Sequence, residues 1–382
     1  MGIKGLNKFL KDACCPNGSS SSTPSYINKV PLKDYANKRI AVDAAIYLCM
    51  FKMRGGGQAS YIESIINFIV QLMENLIQPL FVFDGSAPDE KQRERQLRCA
   101  KQDQQRERVV RLERDLTVYK STGEISDELK EINRTRLKKR CTLVPDRFDS
   151  IGVENYVKDA RTNLFDVTEE DFNTFKSILS LFRIPYITAE SEGEFLCASL
   201  ARNGLVDAVM TRDTDVLACL APRMLTTIEG DCFLEISLDA IMSGLNFTSA
   251  KTWTDFCIMC GTDFNENIPK IGPHRAYNLL KPNKSIEDLT DGGSGSVGGS
   301  NDISILNHER TRELFAYDGV IEEMPPYIDA SEFDTVKFEQ WLVNTSRVNG
   351  IQIRVSIDTI KHRLMRQKKP KSDERTNERT NK

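Results

Sequence analysis

Two short apolar runs, each ending in an aspartate and separated by one amphipathic helix, constrain the fold of this chain more than any other feature. Residues 39–43 (RIAVD) and 79–84 (PLFVFD) read as buried strands, and residues 60–77 between them carry apolar side chains at helical spacing. Strand, helix, strand in this order is a βαβ unit, which implies a parallel pair with a right-handed crossover. In open α/β sheets, ligands gather outside the carboxyl ends of the strands. Asp43 and Asp84 therefore sit where such a fold builds its site. The pattern recurs: the strand IPYIT leads to Glu192 and Glu194, VDAVMT leads to Asp213 and Asp215, and an apolar helix near 250–260 leads to Asp263. The predicted class is α/β, a central, mostly parallel sheet flanked by helices, with carboxylates collected at one edge. Carboxylate oxygens are hard ligands suited to Mg²⁺ or Mn²⁺.

Composition narrows the setting. With 382 residues, 40% apolar and 28% charged, the chain can bury a full core in one large domain or two. No window approaches the roughly 18 uninterrupted apolar residues of a membrane span. The opening MGIKGLNKFLKDACC has no signal-peptide layout, and Leu6 breaks the myristoylation pattern. An intracellular protein is expected. The ten cysteines are scattered through apolar contexts, which suits a reducing compartment. Cys257 and Cys260 form a C-x-x-C, but no second pair accompanies them and they fall on a helical pattern, so they read as core thiols one turn apart.

The formal net charge of −3 conceals an uneven distribution. Residues 89–140 hold 16 Lys/Arg against 11 Asp/Glu, and residues 361–382 hold 9 against 3. Such asymmetry can steer a polyanion toward a metal-loaded acidic site. Residues 88–120 read as a long charged helix and 126–140 as a second one, followed by a poorly patterned stretch to about 165; the block projects from the core. A helix follows at 168–182. PNGSSSSTPS (16–25) reads as a loop, DGGSGSVGGSN (291–301) as a flexible linker, and the chain from about 366 as a disordered basic tail.

Each acid also has a structural reading. Ser191 and Glu194 have capping-box spacing before an apolar run, and Asp213 and Asp215 suit a turn. Their joint placement at strand ends favours a metal site. Two ions about 3.5–4 Å apart can activate water and clamp a phosphate, and seven carboxylates suffice to hold them. Lys91 and Arg98, two helical turns apart just after Asp84, are suited to neutralise charge on that phosphate. Residues 268–280, IPKIGPHRAYNLL, read as a helix–turn–helix with Gly272 in the turn and with Lys270, His274 and Arg275 placed to meet a DNA backbone.

These motifs resemble the XPG/flap endonuclease superfamily of structure-specific 5′ nucleases. MGIKGL, IAVDAA, FVFDGSAPDEKQRERQLR, TAESEGEFLCASLARNGLVDAVMTRDTDVLA and CGTDFNENIPKIGPHRAYNLL carry the resemblance, in order, over residues 1 to about 290. It implies a PIN-like nuclease core with a helical arch and a helix–hairpin–helix. It also implies two Mg²⁺ ions, replaceable by Mn²⁺, on Asp43, Asp84, Glu192, Glu194, Asp213, Asp215 and Asp263. Lys91 and Arg98 fall on the family's basic gateway, and Gly2 on its N-terminal residue near the active site. The implied organisation is an N-terminal nuclease region (1–99), an arch (100–165), and an internal region (166–290) with the hairpin at about 255–281. A C-terminal region (291–365) and the tail (366–382) complete it.

The implied activity is cleavage of flapped or branched DNA near single-strand/double-strand junctions, with 5′→3′ exonuclease activity, in replication, repair or recombination. The alternatives are a mainly exonucleolytic enzyme, a Holliday-junction resolvase, or a catalytically silent DNA-binding scaffold. Two departures stand out. Cys49 occupies the position where flap endonucleases place a stacking Tyr, with Tyr47 read as core, and the tail lacks a sliding-clamp motif. A monomer is expected, with RQKKPK as a nuclear signal, or a cytoplasmic location if the origin is viral.

Overall fold

A computed structural model describes residues 2–14, 26–53, 57–140, 148–280, 285–289, 303–319, 321, 323–326, 333–349, 352–353, 355 and 357–365. The serine-rich loop, the glycine-rich linker and the basic tail lie outside the described residues. Seven strands form one sheet: β1 (Ile27–Pro31), β2 (Arg39–Asp43), β3 (Gln78–Phe83), β4 (Tyr186–Thr188), β5 (Ala208–Met210), β6 (Arg223–Glu229) and β7 (Cys232–Ser237). Their order is β1-β7-β6-β5-β2-β3-β4. The pairs β2–β3, β2–β5, β3–β4 and β5–β6 are parallel, while β1–β7 and β6–β7 are antiparallel. The expected mostly parallel sheet is present, and an antiparallel hairpin of β6 and β7, absent from the sequence reading, extends it.

All five residues of β2 are buried, as a strand covered on both faces requires. One face packs against α2 (Ala44–Met53), α3 (Gly57–Glu74) and α7 (Glu169–Leu181), with Phe81, Phe175, Ile65 and Val42 in the shared core. The other packs against α1 (Leu6–Cys14), α8 (Gly193–Arg202), α9 (Asp215–Ala218), α10 (Leu238–Gly244), α11 (Ala250–Cys260) and α12 (Pro273–Leu280), around Trp253, Phe256, Phe195 and Leu200. Cys257 and Cys260 are buried in this second core, one turn apart, as expected of core thiols. The Trp253 indole N–H donates to the Leu217 carbonyl at 2.7 Å, which satisfies the one polar atom of that large side chain. No helix of the described residues is long and apolar enough to cross a membrane.

The charged block leaves this body as α4 (Gln92–Thr122), α5 (Asp127–Arg140) and α6 (Ser150–Thr162). The 31-residue α4 ends at Gly123, whose φ of 77° supplies the left-handed turn that stops it. Helix α6 lies in the stretch that lacked a sequence pattern. Its Val153 and Val157 join Leu112, Leu116, Leu129 and Ile132 in a separate apolar cluster. Two apolar anchors in 13 residues are too few to show an amphipathic stripe, and the helix becomes legible only with its partners in place. Toward the C-terminus, α13 (His308–Phe315), α14 (Thr335–Asn349) and α15 (Ile357–Met365) return to the body, where Phe338 stands against Phe182 with ring centroids 5.2 Å apart.

Because the three-helix block has its own core, Leu129→Ala is expected to cost about 2–4 kcal/mol locally. Hydrogen exchange should speed up across 108–160 and stay unchanged in β2 and β3; equal acceleration in both would show that the block is not separately packed.

Candidate active site

Strand order creates the site. The chain runs from β2 outward through β3 to β4, then returns to place β5 on the other side of β2, so the winding reverses between β2 and β5. A crevice opens outside the carboxyl ends at such a reversal. Asp43 ends β2, Asp84 follows β3, and Asp213 lies three residues past the end of β5. Asp215 begins α9, while Glu192 and Glu194 stand at the start of α8.

Glycines make the close approach. A Cβ on Gly85 would lie 2.0 Å from the Ala189 carbonyl oxygen, so only glycine permits the Gly85 and Ser86 N–H groups to donate to Ser191 and Glu190 at 2.7 and 3.1 Å. This clamp carries Asp84 to α8, where the Gly193 N–H donates to its Oδ1 at 2.8 Å. A Cβ on Gly2 would fall 2.2 Å from Asp213 Oδ1, which places Gly2 against the carboxylates.

Glu194, Asp213 and Asp215 each bring a carboxylate oxygen within 4.8 Å of the others, and all three are buried. Asp43 joins through Thr211, whose hydroxyl donates to Asp43 Oδ2 at 2.9 Å and accepts from the Asp213 N–H at 3.1 Å. Asp84 is exposed and Asp263 half-buried at the rim. The buried acids are held against their ordinary ionisation. Burial, then the charge of Asp84, raises Asp43 to about 7. Burial, then Asp213, pushes Glu194 well up. Asp215 is likewise raised well above the ordinary carboxylate range, by burial and then Asp213. Burial also raises Asp213, although the Asp215 N–H bonded to it works the other way.

Two basic side chains, Lys91 and Arg98, stand beside the acids. Lys91 ends a short turn ahead of α4, and its Nζ lies 2.6 Å from Glu192 Oε2, 3.7 Å from Glu194 Oε1 and 5.4 Å from the centre of the Phe264 ring. Burial disfavours its charge, but Glu194 and Glu192 outweigh that and raise its pKa. Arg98 Nη2 reaches Asp263 Oδ2 at 3.2 Å.

The donor set fits a hard divalent cation. Among the described residues, neither oxygen of Asp215 has a hydrogen-bond partner, nor does Glu194 Oε1, although all are buried. Unpaired buried carboxylate oxygens are costly unless something positive satisfies them. The capping-box reading of Ser191 and Glu194 does not hold: the residue capping α8 is Glu192, and no side chain caps it. Glu194 instead faces the other acids.

The hairpin differs in detail. Within 268–280 only Pro273–Leu280 is helical, and it packs against α11, whose end falls inside the expected 255–281 hairpin. The left-handed residue in the turn is Lys270, with φ 65°, while the space around a Cβ on Gly272 is open. Lys270 and Arg275 are exposed, whereas His274 turns toward α1, with Nε2 3.4 Å from Asp12 Oδ2. Tyr47 is core, stacked on Phe68 at 4.9 Å, and Cys49 is half-buried. Thr211, Phe264, Gly85 and Gly193 were not singled out from sequence. The two glycines and Phe264 did carry a signal, each lying next to a candidate acid; Thr211 carried none.

Residues 1–105 match the XPG N-terminal domain and residues 183–263 the XPG I-region. A putative RAD2-like endonuclease of Frog virus 3 is 30% identical over 83% of this chain and 83% of its own length. Flap endonuclease 1 of Drosophila mojavensis is 30% identical over 87% and 76%. Among solved structures, flap endonuclease-1 from Methanococcus jannaschii aligns over 88% of this chain and 94% of its own, with a TM-score of 0.55 and 22% identity. Human GEN1 in complex with Holliday-junction DNA aligns over 95% and 76%, with a TM-score of 0.56 and 15% identity.

The charge burden of the site has a measurable sign. Asp43 is raised to about 7 in the folded state, so its contribution to stability is present below the ordinary carboxylate range and is lost as pH climbs through 7. The metal-free protein should therefore melt several degrees lower at pH 8 than at pH 5.5, and millimolar Mg²⁺ should cancel the difference. Asp215→Asn should raise the metal-free melting temperature and abolish most of the Mg²⁺-linked gain. A flat pH profile without metal would contradict the assignment.

Proposed function

The chain belongs to the XPG/flap endonuclease family of nucleases, and on that premise we propose that it is a structure-specific 5′ flap endonuclease with associated 5′→3′ exonuclease activity. The observation that carries the proposal is the buried Glu194–Asp213–Asp215 cluster with unpartnered oxygens beside Lys91. The substrate is DNA with a single-strand/double-strand junction. The 30% identity to flap endonuclease 1 over most of the chain supports flaps over four-way junctions.

Asp43, Asp84, Glu192, Glu194, Asp213, Asp215 and Asp263 would hold two Mg²⁺ ions, with Mn²⁺ as a substitute. Bound there, such ions lower the pKa of water and stabilise charge on the scissile phosphate. The protein's own groups do the rest. Thr211 and the Gly193 N–H orient Asp43 and Asp84. Lys91 and Arg98, held by Glu192 and Asp263 in the free protein, exchange those carboxylates for phosphate oxygens when DNA arrives. Gly2 packs directly against Asp213 at the site, and Lys270, Gly272, His274 and Arg275 present the hairpin to the duplex backbone.

Residues 1–99 and 166–290 make the nuclease region under this reading, 100–165 the cap past which the 5′ strand travels, and 291–365 a C-terminal brace. With Tyr47 in the core and a half-buried Cys49 on α2, no aromatic ring stands at the family's usual stacking position, so base positioning relies on other contacts. The protein acts as a monomer, without the sliding-clamp motif, and the basic tail favours the nucleus.

On a panel of 5′-labelled flap, nick, bubble and four-way junction, the flap should be cut fastest. Equal cutting of all four, or none of the flap, would refute flap specificity. Asp213→Ala should abolish cleavage while keeping junction binding. Lys91→Ala should lower kcat by about 10²–10³; unchanged turnover in both variants would sink the site assignment.

A further inference from the structure

The expectation that the charged cap supplies the main electrostatic surface meets a difficulty. Its cations are largely matched: Arg106 by Asp166, Arg108 by Glu128 and Arg161 by Glu113, while Arg93 is tied to Glu266 outside it. Arg95, Lys101, Arg111, Arg114 and Lys158 stay exposed on the cap without an ion pair among the described residues, and a second such group lies on the body beside the site. Lys4, Lys8 and Lys11 are exposed, as are Lys270 and Arg275 of the hairpin, and none forms an ion pair among the described residues.

These two groups belong to one surface. Helix α1 buries Leu6, Phe9 and Leu10 and turns Lys8 and Lys11 outward one turn apart, with Lys4 just ahead of it. Phe9 packs against His274 and Tyr277 of α12 at 5.0 and 5.6 Å. A Cβ on Gly5 would touch Pro273 at 3.2 Å, and His274 pairs with Asp12, the single acid of α1. At its other end the segment is anchored to the carboxylates, because the Ile3 N–H donates to Thr214 Oγ1 at 2.8 Å and Gly2 abuts Asp213. The lysine row thus begins at the candidate active site and leads away from it beside the hairpin.

We propose that Lys4, Lys8 and Lys11 form, with Lys270 and Arg275, one track for the phosphate backbone of duplex DNA running from the cleavage site. The proposal rests on the nuclease reading and adds a surface to it. From Lys4 to Lys11 the chain advances about 10 Å at about 1.5 Å per residue, which matches about three phosphates of one strand at about 3.4 Å of axis each. Lysines without carboxylate partners release counterions from DNA at no cost in broken ion pairs. The contacts are to backbone, so the track is indifferent to sequence.

The test uses the full chain and a fluorescent flapped DNA in buffer without divalent metal, with affinity measured from 50 to 200 mM salt. Lys8→Ala/Lys11→Ala should reduce the steepness of log K against log salt by about two. Lys8→Arg/Lys11→Arg should restore it. Trimming the duplex arms should weaken the wild type more than the alanine pair, and trimming the flap should weaken both equally. An unchanged slope in the alanine pair, or a loss that follows flap length instead of duplex length, overturns the track. Circular dichroism of the alanine pair separates a misfolded α1 from lost contacts, and the Lys8→Glu single variant provides a second reading of the slope. If the wild type neither binds nor cuts flapped DNA, the nuclease reading fails instead, which is a distinct result.

Discussion

Mutual repulsion among buried carboxylates is the constraint around which the rest of the structure is arranged. Glu194, Asp213 and Asp215 are brought within 4.8 Å of one another, and Asp43 is tied to Asp213 through one hydroxyl. Nothing in the folded state rewards that crowding without a cation. Lys91 supplies part of the answer by pairing with Glu192 and approaching Glu194, but both oxygens of Asp215 remain unsatisfied. A fold that tolerates this must be stabilised elsewhere. Two apolar cores on either face of the sheet, built around Phe81 and Phe175 on one side and Trp253 and Phe256 on the other, hold the strand ends in place. Destabilisation is concentrated where function needs it, a common trade in active sites.

The βαβ unit and its two terminal aspartates were legible because a buried parallel strand must be apolar along its whole length, and an acid at its end is then conspicuous. Glu194 was harder to assign. Its spacing from Ser191 suits a capping box, and only the clamp between Gly85 and Ala189, a contact across a hundred residues, turns it toward Asp213. Helix α6 escaped notice for a related reason: Val153 and Val157 have meaning only against Leu112 and Leu129. The β6–β7 hairpin passed unremarked because half-buried strands carry no continuous apolar run. Local chemistry shows in sequence; pairing between distant segments shows only once the chain is folded.

Charge presents the same division. The basic excess of residues 89–140 suggested that the cap is the electrostatic surface. Ion pairs seen in the structure neutralise much of it, and exposed arginines already matched to carboxylates offer little further attraction. The unmatched lysines of α1 were invisible as a group, because their relation to Lys270 and Arg275 exists only through the packing of Phe9 on α12.

The two-cation site proposed for the carboxylate cluster is open to direct measurement. Titration of the metal-free protein with Mn²⁺, with free ion followed by electron paramagnetic resonance, counts the sites directly and needs no DNA. Two bound ions per chain are expected, falling to one or none when Asp213 and Asp215 are both changed to Asn. Binding that is absent in the wild type, or unaltered in the double variant, would contradict it.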